Sequence, residues 1–190
     1  NNLANLFTDT GRPKDAEAAH SEALAIHRRL VADFPTRPEF CLHLARSHNN
    51  LGVLLKDTGR LKEAEAAFVD AVTITRQLIA DYPTRPEFRQ ELASNHLNMG
   101  VLLRATGRWK EAEGAHTEAR AIYKQLAADF PALPEFRHLL AMSENNLANL
   151  FTDTGRPKDA EAAHSEALAI HRRLVADFPT RPEFCLHLAR

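Results

Sequence analysis

The sequence predicts an all-α protein, an α-solenoid in which antiparallel helix pairs stack one after another. Two observations lead to this fold class. The segment NNLGVLLKDTGRLKEAEAAF at 49–68 recurs in related form at 1–20, 97–116 and 145–164, always 48 residues apart. Apolar residues in and between these segments follow helical spacing, and no stretch alternates with the period of a strand. One helix pair leaves an apolar side uncovered, so the unit must repeat.

Helix A, the first helix of the repeating unit, is predicted from about Pro38 to Thr58. In Thr36-Arg37-Pro38-Glu39 the Thr36 hydroxyl is expected to cap a helical N–H while Glu39 reaches back, with Pro38 in the first turn. Gly59 is expected to end the helix in the left-handed conformation. The predicted apolar stripe is Cys41, Leu44, His48, Leu51 and Leu55.

Helix B is predicted from about Leu61 to Asp81, and Pro83 stops it. Small residues at two positions of its apolar seam allow close approach of neighbouring helices. The seam is Leu61, Ala64, Phe68, Ala71, Thr75, Leu78 and Tyr82, and one repeat later Trp109, Ala112, His116, Ala119, Tyr123, Leu126 and Phe130. We expect seven full or nearly full helices, a truncated first helix over 1–10, and a fragment from Pro182.

The domain organisation follows from the repeat. The chain is expected to be a single array with a partial repeat at 1–37, repeats at 38–85, 86–133 and 134–181, and the start of a further helix at 182–190.

Composition argues against several classes of partner. The chain has 24 basic and 25 acidic residues with no basic run, which argues against a nucleic-acid partner. No apolar run reaches the ~20 residues that span a bilayer. Cys41 and Cys185 stand at equivalent places in distant repeats, so we expect unpaired thiols and a cytoplasmic location. Because no initiator Met or signal peptide is present, the chain is expected to begin inside something longer or engineered.

The ten histidines are interpreted as packing residues. His20 and His27, like His164 and His171, are seven residues apart on helix B, where the equivalent residues are Phe68 with Thr75 and His116 with Tyr123. A position that accepts Phe, Thr or Tyr fills space beside the seam. HExxH, GxxxxGK, GxSxG and paired-cysteine motifs are absent, so the sequence predicts neither an enzyme nor a metal or cofactor site.

These residues resemble the tetratricopeptide repeat family over essentially the whole chain. The matching pattern is Asn50-Leu51-Gly52, Leu55, Gly59, Leu61, Ala64, Phe68 and Ala71, and again Asn98-Met99-Gly100, Leu103, Gly107, Trp109, Ala112, His116 and Ala119. The usual repeat has about 34 residues, so two extra turns per helix are expected here, similar to the repeats of kinesin light chains and of bacterial signalling proteins. The resemblance implies a right-handed superhelix and a scaffold that binds protein segments.

Asparagine recurs in helix A at four equivalent positions, Asn2, Asn50, Asn98 and Asn146. Because asparagine is a mediocre residue inside a helix, we consider two roles: a bond to the backbone of a neighbouring repeat, or the amide ladder of the family's peptide grooves. By the resemblance, the groove consists of Asn49, Asn50, Val53, Lys56, Leu97, Asn98, Val101, Arg104, Asn145, Asn146, Asn149 and Thr152. The lysines of the family's carboxylate clamp are missing at Asn49, Leu97 and Asn145, while Lys56 and Arg104 favour an acidic ligand.

Residues 145–190 repeat residues 1–46 without a difference, although adjacent repeats differ at many positions. The explanations are a recent duplication, deliberate concatenation, or a slice of a longer array. The leading function is a scaffold that binds a protein or peptide in the concave groove lined by helix A. The alternative is a self-assembling or engineered structural array without a dedicated ligand, joined tail to head. A regulatory array cut from a larger signalling protein is compatible with the first function.

Overall fold

The computed structural model of the protein describes residues 2–181, apart from the side chains at positions 2, 5, 8 and 9, and its only regular elements are α-helices. The helices are α1 (Asn2–Asp9), α2 (Pro13–Asp33), α3 (Pro38–Asp57), α4 (Leu61–Asp81), α5 (Pro86–Ala105), α6 (Trp109–Asp129), α7 (Pro134–Asp153) and α8 (Pro157–Asp177). The predicted fold class is confirmed. α1 is the truncated helix, and the seven others have 20 or 21 residues. The fragment predicted from Pro182 lies outside the described residues.

The turn from helix A to helix B closes as its sequence predicts. In the second repeat Gly59 has a φ of 81°, a conformation that glycine adopts without a Cβ clash. The N–H of Arg60 donates to the Leu55 carbonyl at 2.8 Å, and the Thr58 hydroxyl donates to the Leu54 carbonyl at 2.9 Å. These bonds satisfy the last carbonyls of helix A, so the chain reverses within three residues.

The capping box predicted before helix A is wrong. Arg37, not Thr36, is the N-cap residue of α3, and no side chain caps the helix. Thr36 therefore lies one residue too early for its hydroxyl to reach the first turn, although Pro38 does occupy that turn. The Glu39 carboxylate accepts a hydrogen bond from its own backbone N–H, which lowers the pKa of Glu39, and Arg85 at 3.4 Å lowers it further.

Contacts divide the chain into two compact units, Asn1–Leu102 and Leu103–Arg190. In the first unit α3 packs against both α2 and α4. This double contact buries two sides of helix A, including Leu42, Ala45 and Leu54, which the predicted stripe omits. Of the predicted stripe, His48 and Leu55 are fully buried, whereas the other three side chains are half-buried.

The predicted apolar seam of helix B is confirmed for the residues in the middle of the helix. Ala64 and Ala71 are fully buried in α4, and Phe68 packs with Leu55 in one apolar cluster. The ends of the seam differ from the prediction, because Tyr82 is 37% exposed and Trp109 of the next helix B is 41% exposed. Both stand at helix termini, where fewer neighbouring side chains cover them.

In the second unit α7 packs against α6 and α8, so the arrangement of helix A between two helices B recurs. Its apolar core consists of two clusters. One contains Leu147, Ala148, Phe151, Ala160 and Ala163, and the other contains Ala141, Ala167, Ile170 and Leu174.

Ion pairs link each repeat to the next within both units. In the first unit Arg60 pairs with Glu17, and Arg85 pairs with Glu39. In the second unit Arg156 pairs with Glu113 at 2.9 Å. Because these pairs are exposed, they contribute little stability.

Candidate functional site

The predicted groove residues lie in the second halves of α3, α5 and α7. In α3, Asn49 is buried, whereas Asn50, Val53 and Lys56 are half-buried. Neighbouring helices therefore cover Asn49. The side chains of Asn50, Val53 and Lys56 form a strip of α3 that is partly open to solvent.

Two of the predicted amides bind each other across adjacent repeats. Asn98 of α5 donates from Nδ2 to Oδ1 of Asn49 of α3, at 2.9 Å. Leu97 beside it is buried, and Val101 is half-buried. The bond joins neighbouring repeats, as the structural alternative expected, but it runs to a side chain rather than to the backbone. It also orients the Asn98 amide.

The predicted residues of α7 have different surroundings. Oδ1 of Asn145 lies 3.0 Å from Nδ1 of His164 in α8. Asn146 is half-buried and Asn149 is exposed. The Thr152 hydroxyl donates to the Ala148 carbonyl at 3.0 Å. Among the side chains that the structure describes, neither the Asn50 amide nor the Asn146 amide hydrogen-bonds to another protein group.

Both cations predicted to favour an acidic ligand have carboxylate partners. Lys56 Nζ lies 2.5 Å from Oδ1 of the adjacent Asp57, and Arg104 Nε lies 2.5 Å from Oδ2 of Asp153. Each pair is close to neutral. The charge basis for preferring an acidic ligand is therefore weak, and hydrogen bonding and apolar contact dominate what this surface offers.

The packing role predicted for the histidines holds for His20 and His116, which are both buried. Burial is the main cause that lowers the pKa of His116 to about 4, and the positive charge of Arg104 adds to it. His164 is instead exposed, with its Nδ1 beside Oδ1 of Asn145 in α7, so the packing interpretation does not hold for it. Within the described chain, no three His, Cys, Asp or Glu side chains are grouped as a metal site requires.

Sequence reasoning missed two polar contacts that involve buried residues. Arg46 Nε donates to Oε2 of the buried Glu91 at 2.7 Å, which ties α3 to α5. Asn95 Nδ2 donates to the Thr75 hydroxyl at 3.1 Å. It also missed a cavity of about 400 Å³ beside Cys41, between α2, α3 and α4. The available signal was Cys41 itself, which stands where the next two repeats have arginine.

Comparison with known proteins identifies similar repeats and similar folds. The family model of the tetratricopeptide repeat matches residues 1–36, 44–80, 97–132 and 140–180. No curated protein sequence matches the chain. No helix within residues 2–181 combines the length and the apolar character needed to span a membrane.

Two crystal structures illustrate the likeness in fold. BtubC (BKLC) from P. vanneervenii matches with a TM-score of 0.69 and 23% sequence identity, over 90% of this chain and 61% of that protein. A putative kinesin light chain from Podospora anserina with nearly identical TPR-like repeats matches with a TM-score of 0.59 and 19% identity, over 96% of this chain and 75% of that one. At these identities the likeness concerns the fold alone.

Proposed function

The chain belongs to the tetratricopeptide repeat family, and from this premise we propose that it is a scaffold that binds an extended segment of a protein partner along helix A. Repeats of this family generally mediate contacts between proteins. In each unit the proposed binding surface consists of that unit's own groove residues predicted from the sequence, with Asn50 in the first unit and Asn146 in the second as the amides that contact a ligand.

One observation carries the proposal. Asn50 and Asn146 occupy equivalent positions, are half-buried, and lack a hydrogen-bond partner within the described residues. A carboxamide presents one acceptor and two donor hydrogens, which matches the C=O and N–H that an extended backbone presents. Because every residue of a ligand carries the same backbone groups, such binding depends little on ligand sequence.

The surroundings of these amides define the ligand further. Val53 and Val101 offer half-buried apolar contact, and the nearby cations are already paired. The lysines that would bind a terminal carboxylate are absent. The ligand that suits this surface is therefore an internal segment with alternating apolar side chains and little net charge.

The test is the affinity of Asn50→Ala and Asn146→Ala for peptides selected from a cellulose array of random sequences. Each substitution is expected to weaken binding by about 0.5–1.5 kcal/mol, the net value of one neutral hydrogen bond, and to leave helicity unchanged. Gln125→Ala, which removes an exposed amide from helix B, is the matched control. Equal losses in all three variants, or easier unfolding of the asparagine variants without a direct loss of affinity, would contradict the proposal.

A second candidate function, assembly of chains end to end, is favoured by a different observation. α2 and α8 have the same sequence but bury different faces. Ile26 is 51% exposed where Ile170 is 9% exposed, and Leu168 is 37% exposed where Leu24 is 8% exposed. Within the described residues, α2 therefore exposes an apolar side that is buried in α8, and α8 exposes one that is buried in α2. A second chain bound at each end would cover these exposed sides.

This second candidate is tested by light scattering from micromolar to millimolar chain. The mass is expected to rise with concentration, and Leu168→Lys is expected to abolish the rise because it places a charge in the contact. Val69→Lys, at an exposed apolar residue of α4, is the control that should still associate. A constant monomeric mass over the whole range would exclude end-to-end assembly.

A further inference from the structure

One position of helix A differs between repeats in a way that predicts a ligand. Cys41 of α3 stands where the next two repeats have Arg89 and Arg137. In the second unit Arg137 Nη1 donates to Oδ2 of Asp177 at 2.7 Å. The guanidinium carbon of Arg137 also lies 5.4 Å from the centroid of the Phe178 ring. An arginine of helix A therefore covers the end of helix B by an ion pair and a cation–π contact.

The repeat formed by α3 and α4 has the receiving groups but lacks this arginine. Asp81 and Tyr82 are the equivalents of Asp177 and Phe178. Cys41 is too short to reach them as arginine does, and a cavity of about 400 Å³ lies beside it. We call this cavity the Cys41 pocket. The residues that line it include Cys41, Leu44, Ile74, Asp81 and Tyr82.

The charges around the Cys41 pocket suit a cation. Asp81 is the only charged residue among those that line it. Within residues 2–181, Asp81 accepts a hydrogen bond at Oδ1 from Nε2 of Gln77, at 2.9 Å, and forms no ion pair. The negative charge of Asp81 also acts on the thiol, since it adds to burial in raising the pKa of Cys41. The carboxylate thus faces the space that an arginine fills in the other unit.

We propose that the Cys41 pocket binds an arginine side chain of a partner protein. The guanidinium takes the place that Arg137 has in the second unit, with Asp81 as its acceptor and the ring of Tyr82 as its stacking surface. The aliphatic part of the side chain lies along Leu44 and Ile74. Lysine fits less well, because its ammonium group lacks the planar fork that pairs with a carboxylate and stacks on a ring.

This site is separate from the groove of the proposed function. The Cys41 pocket involves the first half of α3 and the end of α4, whereas Asn49, Asn50 and Val53 belong to the second half of α3. Loss of one site is therefore distinguishable from loss of the other.

The first test is a titration of the ¹⁵N-labelled chain with N-acetyl-arginine amide, followed by NMR. Saturable shifts are expected for the backbone amides of Cys41, Asp81 and Tyr82, with none at Arg137 and Asp177, where the place is filled. N-acetyl-citrulline amide has the same shape without the charge. It should bind about tenfold more weakly, since a charge-assisted hydrogen bond becomes a neutral one.

Variants of the chain provide the matched controls. Cys41→Arg should fill the pocket and abolish the shifts at Asp81, whereas Asp81→Asn should reduce affinity for the arginine probe to that of the citrulline probe. Arg137→Cys should open a second pocket and produce new shifts at Asp177. Equal binding of the two probes, persistent binding to Cys41→Arg, or an absence of saturation with the arginine probe would each overturn the proposal.

Discussion

Replacement of Gly52 by alanine tests how closely helix A approaches helix B. Gly52 lies inside α3, and a Cβ at this position would be 2.7 Å from Cε1 and 2.8 Å from Cδ1 of Phe68. Ordinary contacts of a Cβ begin at about 3.4 Å. Phe68 is fully buried in α4, so its ring has little space into which it can withdraw.

Two opposing effects determine how much Gly52→Ala changes the free energy of unfolding. Alanine is better than glycine inside a helix by about 0.8–1.0 kcal/mol. Overpacking of a filled core costs about 1–3 kcal/mol. We therefore expect Gly52→Ala to destabilise the region around α3 and α4 by about 1 kcal/mol, the balance of these two effects.

The chain itself supplies the compensating change. The first repeat has Ala4 and His20 at the positions of Gly52 and Phe68, and both of these side chains are buried. In the first repeat, alanine is thus paired with the smaller histidine ring. In the second repeat, the larger phenylalanine ring is paired with glycine. In the background of Phe68→His, Gly52→Ala should be neutral or stabilising, which gives a coupling energy of about 1–2 kcal/mol between the two positions.

Hydrogen exchange of the α3 and α4 amides is the appropriate assay, because repeat proteins open locally and a single unfolding midpoint averages over repeats. Gly114→Ala in α6 is the control, since a Cβ there meets nothing within 4 Å. It should stabilise by about 0.8–1.0 kcal/mol. If Gly52→Ala stabilises as much as Gly114→Ala does, with or without Phe68→His, the steric argument is refuted.

Three further predictions concern pH, the turn between helices and the ion pair between the buried Glu91 and the partly exposed Arg46. The pKa of His116 is about 4 in the folded chain and 6.5 as its ordinary value, so the unfolded chain binds more protons between these pH values. Stability is therefore intact above pH 6.5, and up to about 3 kcal/mol is lost on acidification toward pH 4, measured by urea unfolding at each pH. His116→Phe, which introduces the residue that the preceding repeat has at Phe68, should remove this loss, and an unchanged pH profile would contradict the assignment. Gly59→Ala should lower the free energy of unfolding by about 1–2 kcal/mol, because the φ of residue 59 is positive and strains any residue with a Cβ. An unchanged thermal unfolding midpoint would contradict this expectation. Arg46→Met should destabilise by about 1–3 kcal/mol because it leaves the Glu91 carboxylate buried without its partner, and the loss should vanish in the double variant with Glu91→Gln.

The helices and turns were predictable because their signals are local. Pro38 at the start of α3 and Gly59 after its end act within one turn of the helix, and both are found where the sequence predicts them. The same reasoning failed for Thr36, because which residue becomes the N-cap depends on how the chain leaves the preceding helix.

The candidate site was predictable only in part. A one-dimensional pattern placed Asn49 and Asn98 on the same surface but not in contact, since their bond depends on the register of two adjacent helices. The partners of Lys56 and Arg104 were missed for a similar reason. Asp153 is far from Arg104 in sequence and reaches it only because α7 packs close to the end of α5.

By itself the sequence determined the helical repeat, the helix bounds within about one residue and the seam of helix B, since propensity, hydrogen bonding in turns and apolar spacing act over a few residues. Tertiary structure alone decided which apolar residues beside that seam are covered. α2 and α8 show this most directly, because their sequences are identical and yet Ile26 is exposed where Ile170 is buried. Burial removes apolar area from water only where a neighbouring helix lies. Along α8 the full length of α7 covers that face, whereas the short α1 leaves it open along α2.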